Sequence, residues 1–290
     1  MSKVYPNLFI VGAMKSATTS LHEYLNFHPE IYMSDMKEPG YFVEEVDNIP
    51  DNIDAYLELF TQGKGCRIVG ESSTHYTKLP TSQGAAERID AFCQNAKINP
   101  KFIYLMRDPI KRTVSHYWHN VKKQDEYRAI LPAIEAQDKN EYIAFSDYAM
   151  QLEPYLETFG KENVFVLTFE ELIEQTDHKL REIFTWLGVD ATIDLPAQKG
   201  KHNAMPDQFN KVRGKGKLHR FRNNPVWNSI SPLVPKFLKR KAISLSVKSV
   251  SQDKADDAEI FEYLKPIFQE KVKNLEKMLD RKFPEWVSLW

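Results

Sequence analysis

The stretch VGAMKSATTSL, from Val11 to Leu21, decides the fold because a strand pattern ends at its start and a helical pattern begins within it. The residues Leu8–Val11 form a short apolar run, as expected of a buried strand. After the stretch begins, Leu21, Tyr24 and Leu25 are spaced so that they share one face of a helix. The stretch is therefore predicted to be a sharp turn from a strand into a helix.

The residues of this turn suit the binding of an anion. A strand that turns into a helix leaves backbone N–H groups unpaired, and the helix dipole attracts a phosphate or a sulfate to them. Gly12 permits a tight turn, and Lys15 supplies a positive charge. The side chains that follow are small, and most carry a hydroxyl: Ser16, Ala17, Thr18, Thr19 and Ser20. The Gly-Lys-Ser/Thr order of an ATPase loop is missing, and an ordinary turn with a surface lysine is the alternative.

Strand and helix patterns alternate along the rest of the chain. Further buried strands are predicted at Arg67–Gly70, Phe102–Met106 and Val164–Phe169. Helices are predicted at Asp54–Phe60, Gly84–Phe92, Arg112–Lys122, Leu172–Leu187 and Ala258–Leu279, and Pro266 predicts a kink or a late start in the last one. The alternation predicts a three-layer α/β/α fold with a mostly parallel central sheet, like that of the P-loop NTPases. Ligands of such sheets bind beyond the carboxyl ends of the strands.

A second charged motif, RDPIKRTVSHY, runs from Arg107 to Tyr117 after the third predicted strand. Pro109 suits the first turn of a helix, where its missing N–H is not needed. An Arg fork at the strand end and a Ser hydroxyl two turns into the helix suit a phosphate monoester, so Arg107 and Ser115 are predicted to bind one. In the alternative interpretation, Arg107 and Asp108 form a structural ion pair.

Together the two motifs resemble those of the sulfotransferases that use 3′-phosphoadenosine 5′-phosphosulfate (PAPS). The family motif K-[ST]-[GA]-T-[TS]-x-L corresponds to Lys15–Leu21, and R-D-P-x-x-R-x-x-S-x-Y corresponds to Arg107–Tyr117 at every fixed position. The resemblance implies that PAPS is the co-substrate, that Lys15 to Ser20 hold its 5′-phosphosulfate, that Arg107 and Ser115 hold its 3′-phosphate, and that no metal is required. Lys15 would also neutralise the leaving oxygen. Many members have Gly at the position of Ala17, whose methyl group should narrow the loop.

Two residues are candidates for the base that takes the proton of the acceptor. Glu38 lies in the loop at residues 35–42, which resembles the K-E-P-x-[FY]-F element of the family branch that sulfates heparan-type sugars, where the Glu is the base. His75 follows the second predicted strand, and the branch that acts on small molecules uses a His. The E-K-[ST]-P-x-Y element of the heparan-type branch is altered here, because Ser72 replaces the Lys and Thr74 the Pro. Glu38 is the preferred base, with His75 as its rival, and the acceptor class stays open.

Positive charge is concentrated in one segment. Residues 199–248 hold 13 Lys and Arg against one acid, Asp207, so the other 240 residues carry a net charge of −13 within the total of −1. With its four prolines, the segment at about 199–250 is predicted to be an irregular basic insertion or lid within a single domain of residues 1–290. Family members carry a basic loop in this region that folds over the 3′-phosphate, which implies contacts from Arg213, Lys215 and Lys217.

Composition narrows the class of protein further. The chain has no apolar stretch near the roughly 20 residues that cross a membrane, and its two cysteines show no metal-ligand spacing. We therefore expect a cytoplasmic protein. The resemblance implies an enzyme that acts on a small-molecule or sugar acceptor, with no nucleic-acid partner; the oligomeric state is not predicted. One alternative is a P-loop small-molecule kinase, which would need Gly-Lys-Ser/Thr and a metal-binding Asp. The other is a non-catalytic protein that binds nucleic acid or other anions through the basic segment.

Overall fold

The computed structural model describes residues 3–44, 50, 52–136, 140–195, 208–212, 247–251 and 254–290. Its centre is a parallel sheet of five strands: β1 (Leu8–Gly12), β2 (Ile31–Met33), β3 (Ile68–Ser72), β4 (Lys101–Met106) and β5 (Val164–Thr168). The strands lie in the order β2-β3-β1-β4-β5, and each neighbouring pair is parallel. The central strand β1 is buried throughout and pairs with β3 and β4, so the carboxyl ends of these three strands meet at one edge.

Helices cover both faces of the sheet. In chain order they are α1 (Thr18–Asn26), α2 (Ile53–Glu58), α3 (Ala85–Ala96), α4 (Pro109–Lys123), α5 (Ile130–Glu135), α6 (Glu141–Ala144), α7 (Tyr148–Phe159), α8 (Phe169–Glu174), α9 (Thr176–Leu187) and α10 (Lys254–Leu279). In β1, Phe9 and Val11 join one apolar core while Leu8 and Ile10 join the other, since successive side chains of a strand point to opposite faces. The first core lies under α3, α4, α7 and α10, and the second under α1 and α9. The predicted three-layer α/β/α class is confirmed.

The four longer strands begin and end within two residues of their predicted bounds, whereas β2 and α7 were not predicted. β2 is an edge strand of three residues, too short to show an alternating pattern, and its pairing with β3 defines it. α7 contains Pro154, which lowers the helical propensity of its sequence, yet Leu152 and Tyr155 on its buried face pack into the first core.

The predicted helices differ from the observed ones by up to four residues at their ends; for example, α3 ends at Ala96 and α4 begins at Pro109. The single helix predicted at Leu172–Leu187 is wrong, because Gln175 (φ −132) lies outside the helical region and separates α8 from α9. α8 itself begins earlier, at Phe169, because Thr168 and Glu171 form a capping box at its start. The last helix begins at Lys254, so Pro266, which lies inside it on the exposed side, does not delay its start.

The basic segment predicted to be irregular over 199–250 contains two strands. β6 (Gln208–Val212) and β7 (Val247–Ser251) pair in antiparallel fashion, and β6 lies alongside α4. The irregular assignment is therefore wrong at these positions, where main-chain hydrogen bonds between distant residues outweigh the weak local pattern. Arg213, Lys215 and Lys217 lie outside the described residues, so their contacts with a nucleotide stay a prediction, as does the role of the segment as a lid.

Candidate active site

Close packing and two left-handed residues shape the loop between β1 and α1. A Cβ atom on Gly12 would lie 2.3 Å from Thr77 Oγ1 and 2.4 Å from Tyr104 Cε2, so the position has space only for glycine. The positive φ angles of the loop belong to Lys15 (φ 72) and Ala17 (φ 68). Gly12 therefore provides the space that the close packing of the turn needs, and Lys15 and Ala17 supply its left-handed backbone.

The start of α1 presents polar groups toward this loop. Ala17 is the N-cap residue and makes no side-chain cap hydrogen bond. The hydroxyl of Ser16 is fully buried and has no hydrogen-bond partner within the described part of the chain. Thr18 is buried, and Thr19 and Ser20 are half-buried in the first turn. Since buried hydroxyls and helix N-termini normally have partners, these groups fit an anionic ligand.

Lys15 and Arg107 bring positive charge to the same place. Nη1 of Arg107 donates a hydrogen bond to the backbone oxygen of Lys15 at 3.3 Å, and Arg107 Nε is buried with no hydrogen-bond partner among the residues described. Burial lowers the pKa of Lys15, and the charges of Arg107, Lys122 and Lys123 lower it further. Such a concentration of positive charge, with one guanidinium N–H still unbonded, is suited to a phosphate or a sulfate.

The structure holds Arg107 at the end of β4 from two sides. The hydroxyl of Tyr148 donates to the backbone oxygen of Arg107 at 2.6 Å and accepts from its N–H at 3.3 Å. The guanidinium lies over the ring of Phe169, with Cζ 4.9 Å from the ring centroid. These contacts direct the side chain toward the β1–α1 loop.

Asp108 acts as a helix cap and not as the ion-pair partner of its neighbour. Its carboxylate accepts hydrogen bonds from the N–H groups of Ile110 and Lys111 at the start of α4. It also accepts from the hydroxyl of Ser288 at 2.6 Å, near the end of the chain. The salt-bridge partner of Asp108 is Lys111, at 4.0 Å. The alternative interpretation, a structural ion pair between Arg107 and Asp108, is therefore wrong.

One face of α4 extends the positive site. Ser115 is half-buried on this helix, and His119 and Lys123 follow it at intervals of one turn. Burial, and then the charges of Lys15, Lys123 and Lys78, lower the pKa of His119 to about 4. The face that carries Ser115 therefore lies between the β1–α1 loop and the turn after β3.

Glu38 reaches the same edge of the sheet from the loop after β2. Its N–H donates to the backbone oxygen of Ser72 at 2.9 Å, its Oε2 accepts from the Thr74 N–H at 2.7 Å, and its Oε1 accepts from Lys37 Nζ at 3.0 Å. Burial by itself would raise the pKa of Glu38, but Lys37, His75 and the Thr74 N–H together hold it below its ordinary value. The carboxylate is therefore charged at neutral pH.

His75 lies beside Glu38, on the short 3-10 helix Thr74–Thr77 that follows β3. Nζ of Lys78 lies 3.1 Å from its Nδ1. Burial, and then the charge of Lys78, lower the pKa of His75 to about 4, while Glu38 acts in the opposite direction. Both candidate bases thus belong to one cluster, in which the carboxylate is charged and the imidazole is neutral.

A buried carboxylate connects this cluster to the sheet. Glu71, in β3, accepts hydrogen bonds from the hydroxyls of Tyr56 at 2.8 Å, Tyr76 at 2.7 Å and Ser73 at 2.6 Å. The Ser73 hydroxyl in turn accepts from the N–H of Gly40 at 3.0 Å. This chain of hydrogen bonds fixes the loop after β2 against the carboxyl end of β3.

The sequence as a whole matches one protein family. Residues 5–276 fit the family model described as the sulfotransferase domain. The chain belongs to the sulfotransferase domain family. Its fold agrees with the crystal structure of a sulfotransferase from Alicyclobacillus acidocaldarius, at a TM-score of 0.69 and 24% identity, over 98% of this chain and 99% of that one.

The chain is also similar in sequence to two named sulfotransferases. The membrane-associated sulfotransferase kil1 of Dictyostelium discoideum is 32% identical over 117 residues, which cover 40% of this chain and 23% of that protein. Heparan sulfate glucosamine 3-O-sulfotransferase 3B1 of Mus musculus is 25% identical over 230 residues, which cover 75% of this chain and 55% of that protein. The chain thus spans about a quarter to about half of the length of these relatives.

Two kinds of feature are absent from the described residues. No helix among them is both long and apolar enough to span a lipid bilayer. In the same part of the chain, no three or more His, Cys, Asp or Glu side chains are grouped so that they could hold a metal ion.

Several lysines of this sulfotransferase domain were not predicted as parts of the site. Lys37 directly precedes Glu38, Lys78 follows His75 by one turn, and Lys123 lies two turns after Ser115, so each is near a motif that had been recognised. The sequence shows that these lysines lie near the ends of strands or near a recognised motif. It does not show which lysine side chains approach Glu38, His75 or Lys15, since that depends on packing.

Ser72, which replaces the Lys of the heparan-type element, has a structural role in this protein. Ser72 is fully buried at the end of β3, and its hydroxyl lies 2.7 Å from Nδ1 of His22 on α1. Burial lowers the pKa of His22 to about 4, so this ring is neutral. Ser72 therefore connects β3 to α1, the helix that follows the β1–α1 loop.

Proposed function

We propose that this sulfotransferase domain moves a sulfuryl group from PAPS to a hydroxyl or an amine of a carbohydrate or a polar small molecule. The observation that carries the proposal is the anion site at the ends of β1 and β4. There the Ser16 hydroxyl and Arg107 Nε are buried and unbonded among the described residues, beside the charge of Lys15. A buried polar group without a partner is destabilising, so a bound anion would stabilise this loop.

PAPS supplies a sulfuryl group attached to a phosphate oxygen, which is the leaving oxygen of the reaction. In the proposed assignment, Lys15 to Ser20 hold the 5′-phosphosulfate, and Arg107 and Ser115 hold the 3′-phosphate. Lys15 neutralises negative charge that develops on the leaving oxygen, and a charge fixed in a half-buried site does this better than water. The scheme assigns no role to a metal ion, because Lys15 supplies the positive charge at the leaving oxygen.

Glu38 is the proposed base, which takes the proton of the acceptor as the new S–O or S–N bond forms. Two observations support the choice. The carboxylate is charged at neutral pH, because Lys37, His75 and the Thr74 N–H outweigh the effect of burial on its pKa. It is also held in one orientation by the Thr74 N–H at 2.7 Å. The pKa of His75, the rival base, is about 4, and the pKa of Glu38 also lies below its ordinary value, so basicity does not separate the two. The resemblance of the Glu38 loop to the heparan-type element is what favours Glu38.

For the acceptor we propose a sugar or another polar molecule. The mouse relative that matches 75% of this chain is named for its action on heparan sulfate glucosamine, and the Glu38 loop resembles the element of that branch. A cytoplasmic location and the lack of a nucleic-acid partner belong to the same proposal.

Binding of the product nucleotide, 3′-phosphoadenosine 5′-phosphate (PAP), tests the proposed function. At a hundred times its Kd, PAP should stabilise the wild-type protein by about 2.7 kcal/mol, which thermal unfolding detects as a raised Tm. Lys15→Ala should bind PAP more weakly and lose turnover by roughly 10²- to 10³-fold. Lys64→Ala, at an exposed position, is the matched control and should behave as wild type. If PAP neither binds nor raises the Tm of the wild type, the proposal fails; Mg²⁺-dependent ATP turnover would instead favour a kinase.

A pair of variants tests the base. Glu38→Gln keeps the shape of the side chain but cannot accept a proton, so it should lose turnover by roughly 10²-fold or more while it binds PAP as wild type does. His75→Ala should retain more activity than Glu38→Gln. The assay uses PAPS with heparan-type oligosaccharides and simple amino sugars, after one of them has been shown to be sulfated by the wild type. A dead His75→Ala beside an active Glu38→Gln would reverse the assignment.

A further inference from the structure

The backbone of Arg107 lies between two regular elements and needs hydrogen-bond partners of its own. β4 ends at Met106, which pairs with Thr168, and α4 begins at Pro109. A buried backbone N–H or C=O group without a partner is costly, so such groups outside strands and helices are normally bonded by side chains or water. Here the hydroxyl of Tyr148 serves both groups of Arg107: it donates to the oxygen at 2.6 Å and accepts from the N–H at 3.3 Å.

The Tyr148 hydroxyl is fixed both in place and in protonation state. Tyr148 is buried at the start of α7, and its ring centroid lies 6.0 Å from that of Tyr104 and 5.7 Å from that of Trp286. Burial raises the pKa of Tyr148, so the hydroxyl keeps the proton that it donates. A phenylalanine at this position would fill the same space and lose only the two hydrogen bonds to Arg107.

The side chain of Arg107 extends from this anchored backbone into the anion site. Its Cζ lies 4.9 Å from the ring centroid of Phe169, and its Nη1 donates to the backbone oxygen of Lys15 at 3.3 Å. Its Nε is buried and unbonded within the described part of the chain, which leaves it available to a ligand. A guanidinium binds a phosphate through N–H groups in a rigid planar fork, so the strength of the contact depends on the orientation of the fork.

We propose that Tyr148 is a positioning residue for the nucleotide: by holding the backbone of Arg107, it sets how strongly the protein prefers a nucleotide with a 3′-phosphate to one without. The inference rests on the proposed function, in which Arg107 and Ser115 bind the 3′-phosphate of PAPS. Without the hydroxyl, the backbone of Arg107 can shift at the end of β4, and the fork no longer matches the phosphate oxygens. The 5′-phosphate, held by the loop of Lys15 to Ser20, keeps its own contacts.

A comparison of PAP with AMP isolates this effect, because AMP keeps the adenosine and the 5′-phosphate but lacks the 3′-phosphate. Isothermal titration calorimetry of the full chain at neutral pH measures both affinities. Tyr148→Phe should bind PAP about tenfold more weakly and AMP within about twofold of the wild type, because a hydrogen bond to a charged group contributes affinity of this order.

Tyr155→Phe is the matched control on the same helix. The buried Tyr155 hydroxyl also donates to a backbone oxygen, that of Tyr76 at 2.8 Å, so its removal costs a hydrogen bond of the same kind. The ratio of PAP to AMP affinity should stay as in the wild type. A ratio that falls equally in both variants would mean that the loss comes from a general loosening of the fold, and would overturn the inference.

A double-mutant cycle shows whether the effect passes through Arg107. In the background of Arg107→Ala, Tyr148→Phe should change the affinity for PAP by less than about twofold, since the group that it positions is gone. Losses that add fully would mean that Tyr148 acts by another route. Such additivity, or a wild-type ratio of PAP to AMP affinity in Tyr148→Phe itself, would overturn the inference.

Hydrogen exchange of the wild type tests the contact even if Tyr148→Phe does not fold. The Arg107 N–H, bonded to the Tyr148 hydroxyl, should exchange at least about a hundredfold more slowly than an unprotected amide. Exchange at the unprotected rate would show that the contact is absent and the inference wrong. If the wild type does not bind PAP, the proposed function fails and this inference with it. If the wild type prefers PAP to AMP and Tyr148→Phe has the same preference, only the role of Tyr148 is wrong.

Discussion

At the scale of single residues, left-handed backbone occurs in the site as well as at Lys97, Gln124 and Asp280, which directly follow helices. Lys15 (φ 72), Ala17 (φ 68) and Glu38 (φ 60) are non-glycine residues with positive φ angles. An L-residue enters this region at a cost of about 1–2 kcal/mol, and such strain tends to be kept at functional positions. Many sulfotransferases have Gly at the position of Ala17, and the positive φ angle gives a physical reason for it. Alanine is strained there by its backbone conformation more than by the space that its methyl group takes.

Ala17→Gly should therefore increase the free energy of unfolding, by about 1 kcal/mol, because glycine adopts a positive φ without steric cost. Ala91→Gly, on the exposed side of α3, is the matched control and should lower it by about 1 kcal/mol, since glycine weakens a helix interior. Urea unfolding of the two variants and the wild type measures both effects. Destabilisation of both variants by the same amount would show that Ala17 is not strained.

At the scale of elements, hydrogen bonds to Glu71 in β3 connect the sheet to the turn that holds the candidate bases. Burial raises the pKa of Glu71 to about 7, although the hydrogen bonds from Ser73, Tyr76 and Tyr56 act against this. The folded protein therefore binds a proton at Glu71 between the ordinary value of 4.5 and about 7, where the unfolded chain has released it. The resulting stability is fully present below pH 4.5 and is lost as the pH rises through about 7.

Glu71→Gln should remove this pH dependence, because an amide does not titrate in this range. Relative to the wild type, the variant should gain up to about 3 kcal/mol in free energy of unfolding between pH 5 and pH 7.5. Urea unfolding at the two pH values measures the difference. Glu58→Gln, at an exposed position of α2, is the control and should follow the wild type. An equal pH dependence in Glu71→Gln and the wild type would contradict the raised pKa.

At the scale of the whole molecule, charge is divided between an acidic body and a basic segment, with 13 Lys and Arg against one acid in residues 199–248. The proposed nucleotide site lies on the body, at the carboxyl ends of β1 and β4, and β6 of the basic segment lies alongside α4. The segment is thereby connected to the helix that carries Ser115. We propose that its Gly-containing part contributes charge to the site of the 3′-phosphate.

Replacement of Arg213, Lys215 and Lys217 by Gln tests this proposal. The triple variant should bind PAP at least about tenfold more weakly and with a smaller dependence on salt, because three positive charges near a phosphate are lost. Replacement of Lys236, Lys239 and Lys241 by Gln makes the same change of net charge elsewhere in the segment and should have a much smaller effect. Isothermal titration calorimetry with PAP at two salt concentrations measures the affinity of both triple variants and its salt dependence. If both variants lose the same affinity, the loss comes from net charge and not from contacts of Arg213, Lys215 and Lys217.

Much of the architecture and part of the site follow from local patterns. The apolar runs at Leu8–Val11 and Phe102–Met106 predicted β1 and β4, and the motifs after them predicted the loop of Lys15 and the position of Arg107. The short strand β2 and the break at Gln175 were not predictable in this way. Three residues show too little periodicity to define a strand, and the helical pattern of apolar residues continues across the break at Gln175.

By itself the sequence determined the α/β class, the positions of the four longer strands along the chain and the two motifs that follow β1 and β4, because these depend on periodicity and on residues that are neighbours in the chain. Only the tertiary structure decided how the charges pair. Asp108 caps α4 and bonds Ser288, and Lys78 faces His75, which lies beside Glu38. A charged residue has the same appearance in a sequence whatever it contacts, and its partner is selected by packing between segments that are distant in the chain.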